Sequence, residues 1–120
     1  MPFKALLMEL VSAVEGAEGA IFMDAEGEAV QWHARGDAER LRLRAAYIAV
    51  VLQTARASVR RLELGSIGHL VVEYEGARFV VSELGRDYLL LLELNKSSNV
   101  AEALFRIQPA AARLRQEVAA

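Results

Sequence analysis

The residues able to do chemistry in this chain are few and scattered. Cysteine is absent, which excludes disulfides and thiolate metal sites and leaves His33 and His69 as the only imidazoles. General-base catalysis needs a partner that orients the base, and the two histidines sit on separate predicted strands with no such group beside them. Each reads as a surface or interface residue. Asp24, Glu26 and Glu28 gather three carboxylates, but around a tight turn, where side chains accept from nearby amides and are solvated. Gly65-Ser66-Ile67-Gly68 has the glycines of a phosphate loop without its lysine or the helix that must follow. No catalytic residue, metal ligand or cofactor contact is therefore assigned, and the chain reads as a protein that binds rather than converts.

Binding chemistry is concentrated in one segment. Between Asp37 and Arg61 stand six arginines against two acids, so this stretch carries +4 while the whole chain carries −2. A helix over this segment places Arg42, Gln53, Arg56 and Arg60 on one narrow arc. A solvated face is the plain reading of that arc, and contact with an acidic partner is the functional one. Nucleic acid fits poorly, because the chain is net acidic and no aromatic side chains interleave the arginines.

The elements that must position these residues follow from periodicity. Phe3 to Glu15 carries apolar residues at helical spacing and stops at Gly16. Ala20-Ile21-Phe22-Met23 and Glu28 to His33 flank Asp24-Ala25-Glu26-Gly27, a turn with aspartate at its start and glycine at its end, which predicts a β-hairpin. Asp37 is placed to cap a long second helix running to about Arg61. Three strands are expected at Ile67–Glu75, Ala77–Glu83 and Tyr88–Leu94, forming an antiparallel meander. Asn99 or Ser98 caps a last helix that contains Pro109, yet its apolar seam from Val100 to Val118 continues across the proline and predicts one kinked helix.

The order α-β-β-α-β-β-β-α, with two strands apolar on both faces (Ile21–Met23 and Leu89–Leu92), requires helices on both sides of one sheet. The expected fold is an α+β sandwich with one five-stranded, mainly antiparallel sheet. Residues 67–75 alternate and belong near an edge. Leu41, Ala45, Ile48, Leu52, Ala55, Val59 and Leu62 line the sheet-facing side of the second helix. A second apolar stripe, Leu43, Tyr47, Val50, Thr54 and Ala57, lies roughly opposite. It can pack beneath another helix of the same chain. Three helices on two faces leave one face with a single helix, however, and if that is the second helix, its outer stripe meets another chain. An unpaired edge strand supplies the same opportunity, through Ile67, His69 and Val71. A symmetric dimer satisfies both demands.

With 120 residues, 54% hydrophobic and 25% charged, the chain has the size and composition of one globular domain spanning 1–120. Its start lacks the pattern of a signal peptide, and no apolar run approaches the ~18 residues of a membrane span, so a cytoplasmic location is expected.

These features together resemble the Roadblock family, which includes dynein light chains and the MglB-like prokaryotic regulators of small GTPases. The resemblance rests on Gly19 to Val30, an apolar strand entering an Asp-x-x-Gly hairpin, on Leu64-Gly65-Ser66-Ile67, and on Gly85-Arg86-Asp87-Tyr88-Leu89-Leu90-Leu91-Leu92. It covers nearly the whole chain. Asn99-Val100-Ala101 departs from the family's Asn-Leu-Gly entry into the last helix. The resemblance implies a homodimer, or a heterodimer with a Roadblock paralogue, joined through the second helix and third strand. It further implies regulation or scaffolding of a small Ras-like GTPase without a nucleotide site, cofactor or active site of its own. A structural adaptor for non-GTPase partners is the alternative, and a small-molecule sensor a more distant one.

Overall fold

A computed structural model describes residues 3–119. The chain runs α1 (Phe3–Ala13), β1 (Ala17–Asp24), β2 (Ala29–Ala34), α2 (Ala38–Arg61), β3 (His69–Glu73), β4 (Arg78–Glu83), β5 (Tyr88–Leu94) and α3 (Val100–Ala119). The five strands form one sheet in the order β2-β1-β5-β4-β3, antiparallel at every pairing. The two strands without alternation, β1 and β5, are neighbours at its centre, and β3 is an edge, as their patterns require.

Local chemistry accounts for the boundaries. The Asp24 carboxylate accepts from the Glu26 and Glu28 amides, and Gly27 takes φ +92°, which closes the first hairpin. Asp37 caps α2 by accepting from the amides of Glu39 and Arg40. Asn99 caps α3 through the Glu102 amide, while Ser98 is buried and donates to Asn95. Despite Pro109, α3 is continuous.

Two cores flank the sheet. Leu90 and Leu92 of β5, with Phe22 of β1 and Val80 of β4, face α1 and α3. Leu89 and Leu91, with Ile21, Met23, Phe79 and Val81, face α2 alone. Alternation on a pleated strand thus divides one leucine run between both cores, and each fully buried leucine contributes about 2 kcal/mol by removal from water. A 24-residue helix is about 36 Å long, enough to cross a five-stranded sheet about 20 Å wide. That length lets α2 carry the chain from β2 at one edge to β3 at the other, and among the described residues no second helix lies on its face.

Two local differences from the sequence reading concern the ends of α2 and β3. Leu62, expected against the sheet, is 67% exposed, because α2 ends at Arg61 and Glu63 turns the chain through φ +56°. The third strand is shorter than expected, with residues 64–68 forming an irregular link from α2.

Candidate interaction surface

On α2 the two stripes separate cleanly. Leu41, Ala45, Ile48, Ala49 and Leu52 are buried, Ala55 and Val59 partly so. Leu43, Tyr47 and Val50 are 61%, 67% and 61% exposed, and Thr54 and Ala57 are exposed as well. Among the described residues nothing covers this second stripe, since α1 and α3 lie across the sheet. Surface side chains of this size occur singly on most proteins, whereas a continuous row marks an interaction site.

The row is joined to the sheet edge by an apolar groove of about 430 Å³, with Leu43 and Tyr47 on one wall and Tyr74 and Phe79 on the other. Tyr74, 54% exposed, stacks edge-on against the buried Phe79 ring at 6.1 Å. Tyr74 was not singled out from sequence, although alternation through β3 put it on the same face as Leu70 and Val72. Beyond it, β3 has no neighbouring strand on its outer side among the described residues. Leu70 and Val72 turn toward α2, and His69 and Val71 toward α3, with Val71 37% exposed and Ile67 half-buried in the preceding link. Of the residues expected at an interface, the α2 row and Ile67 therefore lie on the α2 side of the sheet, whereas the His69 and Val71 side chains lie on the α3 side of the same edge.

The polar arc behaves differently along its length. Arg42 lies over the Trp32 ring, 4.3 Å from its centroid, and so is held on β2 by a cation–π contact. Gln53 donates to the Ala25 carbonyl at 2.7 Å, fastening α2 to the first hairpin. Arg56 reaches inward: it binds the Glu83 carboxylate at 2.7 Å and the Arg86 carbonyl at 3.1 Å. Arg60 is exposed. Gln53, Arg56 and Arg60 share one open cleft of about 1050 Å³ with Arg86 and Arg115, and Arg42 lies outside it.

The two histidines are not brought together. His33, on the β2 edge, has its pKa lowered by burial and then by the positive charges of Lys4 and Arg35. On the opposite edge, His69 sits between the Ser82 hydroxyl and the Gln108 amide, each at 3.0 Å. Donation by the amide to Nε2 leaves Nδ1 to carry the proton toward Ser82. Among the described residues no group of three or more His, Cys, Asp or Glu side chains could hold a metal ion, and no helix is long and apolar enough to cross a membrane. Sequence reasoning missed the ion pair of Arg44 with the buried Glu93, 2.8 Å apart. The signal was present, because a glutamate between leucines in a central strand must find a cation.

The Roadblock/LC7 domain profile matches residues 3–93. The chain belongs to the Roadblock/LC7 family. The matched segment holds α1 to β5, and solved structures extend the likeness over α3. A Roadblock/LC7 domain from Streptomyces avermitilis is 19% identical, with TM-score 0.88 over 98% of each chain. MglB of Myxococcus xanthus, 12% identical, gives TM-score 0.85 over 97% of this chain and 94% of its own. The gliding protein MglB of Thermus thermophilus, 20% identical, gives 0.80 over 94% and 87%. At such identities the likeness is one of fold. No curated protein matches by sequence. The Roadblock assignment fits the order of helices and strands, and the likeness of fold continues through α3 despite the divergent entry at Asn99-Val100-Ala101.

Proposed function

We propose that this Roadblock protein is a dimer that regulates or scaffolds a small Ras-like GTPase in a prokaryotic cytoplasm, without an active site of its own. The observation that carries the reading is the uncovered apolar row of α2 lying beside the open β3 edge. One two-fold operation can bury the row on its copy and extend the sheet through β3. The interface would comprise Leu43, Tyr47, Val50, Thr54 and Ala57 with Ile67, His69 and Val71. A Roadblock paralogue with a similar row can take the place of the second copy.

The GTPase part of the reading is supported by family membership and by the MglB structures among the neighbours. Any acceleration of hydrolysis would come from ordering the GTPase's own loops, because this chain offers no assigned catalytic group. Arg42, Gln53 and Arg60 are the polar residues of α2 proposed to meet the partner; Arg56 contributes by shaping the surface, since its guanidinium is engaged by Glu83. The test is to mix the purified protein with a small GTPase encoded beside it. Complex formation on size exclusion, with hydrolysis altered or with the complex merely stable, supports regulation or scaffolding respectively. Failure to bind defeats the GTPase reading and leaves an adaptor for other proteins.

A further inference from the structure

The cleft at the C-terminal end of α2 has a composition that the dimer does not use. Four arginines line it, Arg56, Arg60, Arg86 and Arg115, against Glu63 and Glu83, in a chain whose net charge is −2. The four divide into two pairs. Arg56 is held by the Glu83 carboxylate and the Arg86 carbonyl, and Arg115 donates through Nε and Nη2 to the Glu83 carbonyl at 3.2 and 3.0 Å. These two build the floor and tie α2 and α3 to the same residue of β4. The Arg60 and Arg86 guanidinium groups have no hydrogen-bond or ion-pair partner among the described residues. Glu83 is already neutralised by Arg56, so the unspent charge of the cleft is positive.

Its wall is a second kind of donor. Residues 64–68 link α2 to β3 in irregular backbone, and the amides of Gly65, Ser66, Ile67 and Gly68 donate to nothing among the described residues. Three carbonyls at the end of α2 are occupied, since Ser58, Arg60 and Val59 accept from Leu62, Glu63 and Leu64. Beside the arginines, the cleft is lined by this donor-rich link and by the apolar Val59 and Ile67.

We propose that this cleft binds an acidic, partly apolar peptide segment of a partner protein. Arg60 and Arg86 would take its carboxylates, the 65–68 amides its backbone carbonyls, and Val59 with Ile67 its apolar side chains. A volume of about 1050 Å³ suits several residues of extended chain and is far larger than a single phosphate needs. Glu63 and Glu83 oppose a densely charged polyphosphate, and no aromatic ring in the lining offers a base a surface to stack on. The inference rests on this protein being an adaptor with a protein partner, not on that partner being a GTPase. Ile67 is the one residue the cleft shares with the proposed dimer interface.

The test uses the full chain and a fluorescent peptide alternating glutamate with leucine, compared with its glutamine counterpart, by anisotropy. The glutamate peptide should bind, the glutamine peptide at least about tenfold more weakly, and added salt should loosen the complex as screening sets in. Arg60→Glu with Arg86→Glu should weaken binding about tenfold or more, since two ion pairs are lost and charge reversal adds repulsion. Arg113→Glu on the far side of α3 should change nothing. Equal binding of both peptides, no binding of the glutamate peptide, or an unaffected double variant overturns the proposal. So does displacement of the peptide by equimolar inorganic phosphate, which would make this a small-anion site. Because Gln53 and Arg60 also belong to the surface proposed for the GTPase, GTPase binding and the dimer are measured separately on the parent chain, so that failure of the peptide reading and failure of the GTPase reading are told apart.

Discussion

Arg56 of α2 and Glu83 of β4 are joined at 2.7 Å with their side chains only 18% and 13% exposed, and the second Glu83 oxygen, Oε1, is buried without a donor. The pair fastens the lone helix to the sheet. Because Oε1 already lacks a partner, the carboxylate depends on Arg56 for its charge compensation. Arg56→Ala should therefore destabilise the fold by about 3 kcal/mol, since an uncompensated charge would remain inside. Adding Glu83→Gln should return much of that loss. Denaturant midpoints of the two singles and the double measure the coupling; additive effects would show that the pair is not the cause.

A second prediction concerns Gly16, which enters β1 at φ +83°. A Cβ here would lie 2.1 Å from Ser98 Oγ and 3.0 Å from the Asn95 amide group. Gly16→Ala combines left-handed backbone strain with overpacking and should cost about 2–4 kcal/mol. Gly36→Ala, whose Cβ meets nothing within 4 Å, should stay within about 0.5 kcal/mol of the parent. Thermal unfolding of the two variants distinguishes a positional requirement from a general glycine effect.

The parts of this molecule that could be read from sequence were those decided locally. The Asp24 to Gly27 turn and the Asp37 cap depend on neighbours two to four residues away, and Leu89 to Leu92 announce a strand covered on both faces wherever it lies. The exposure of Tyr47 and Val50 followed from counting helices against faces. Arg56 could be placed on an arc but not given its partner, because Glu83 is 27 residues away and comes near only after β4 pairs with β5. Leu62 failed for a related reason: periodicity continues along a sequence after the helix has ended. Arg86 and Arg115 gained a common purpose only when α3 docked beside the β4–β5 turn.

His33 gives a pH prediction. Burial first, then Lys4 and Arg35, lower its pKa in the folded chain below the ordinary 6.5. The unfolded chain therefore binds a proton that the folded chain resists, and stability falls as pH drops through 6.5 toward the folded value, then levels off. His33→Gln should flatten that part of the profile while changing the midpoint little above neutral pH. Urea midpoints at closely spaced pH values check this; an unchanged slope would assign the effect to other groups.

The proposed dimer makes the sharpest demand on Tyr47 and Val50. Both sit in the uncovered row of α2, so a charge at either leaves the isolated chain's core intact. The same charge in a two-fold interface is buried against its copy, with no cation assigned to meet it. Tyr47→Glu and Val50→Glu should each convert a dimer into a monomer by light scattering, with far-ultraviolet circular dichroism unchanged. A charge on the outer face of α1, Met8→Glu, should leave the dimer alone, because Met8 is exposed on the other side of the sheet. If both α2 variants remain dimeric, the row is not the interface, and pairing must come from another surface such as the β2 edge.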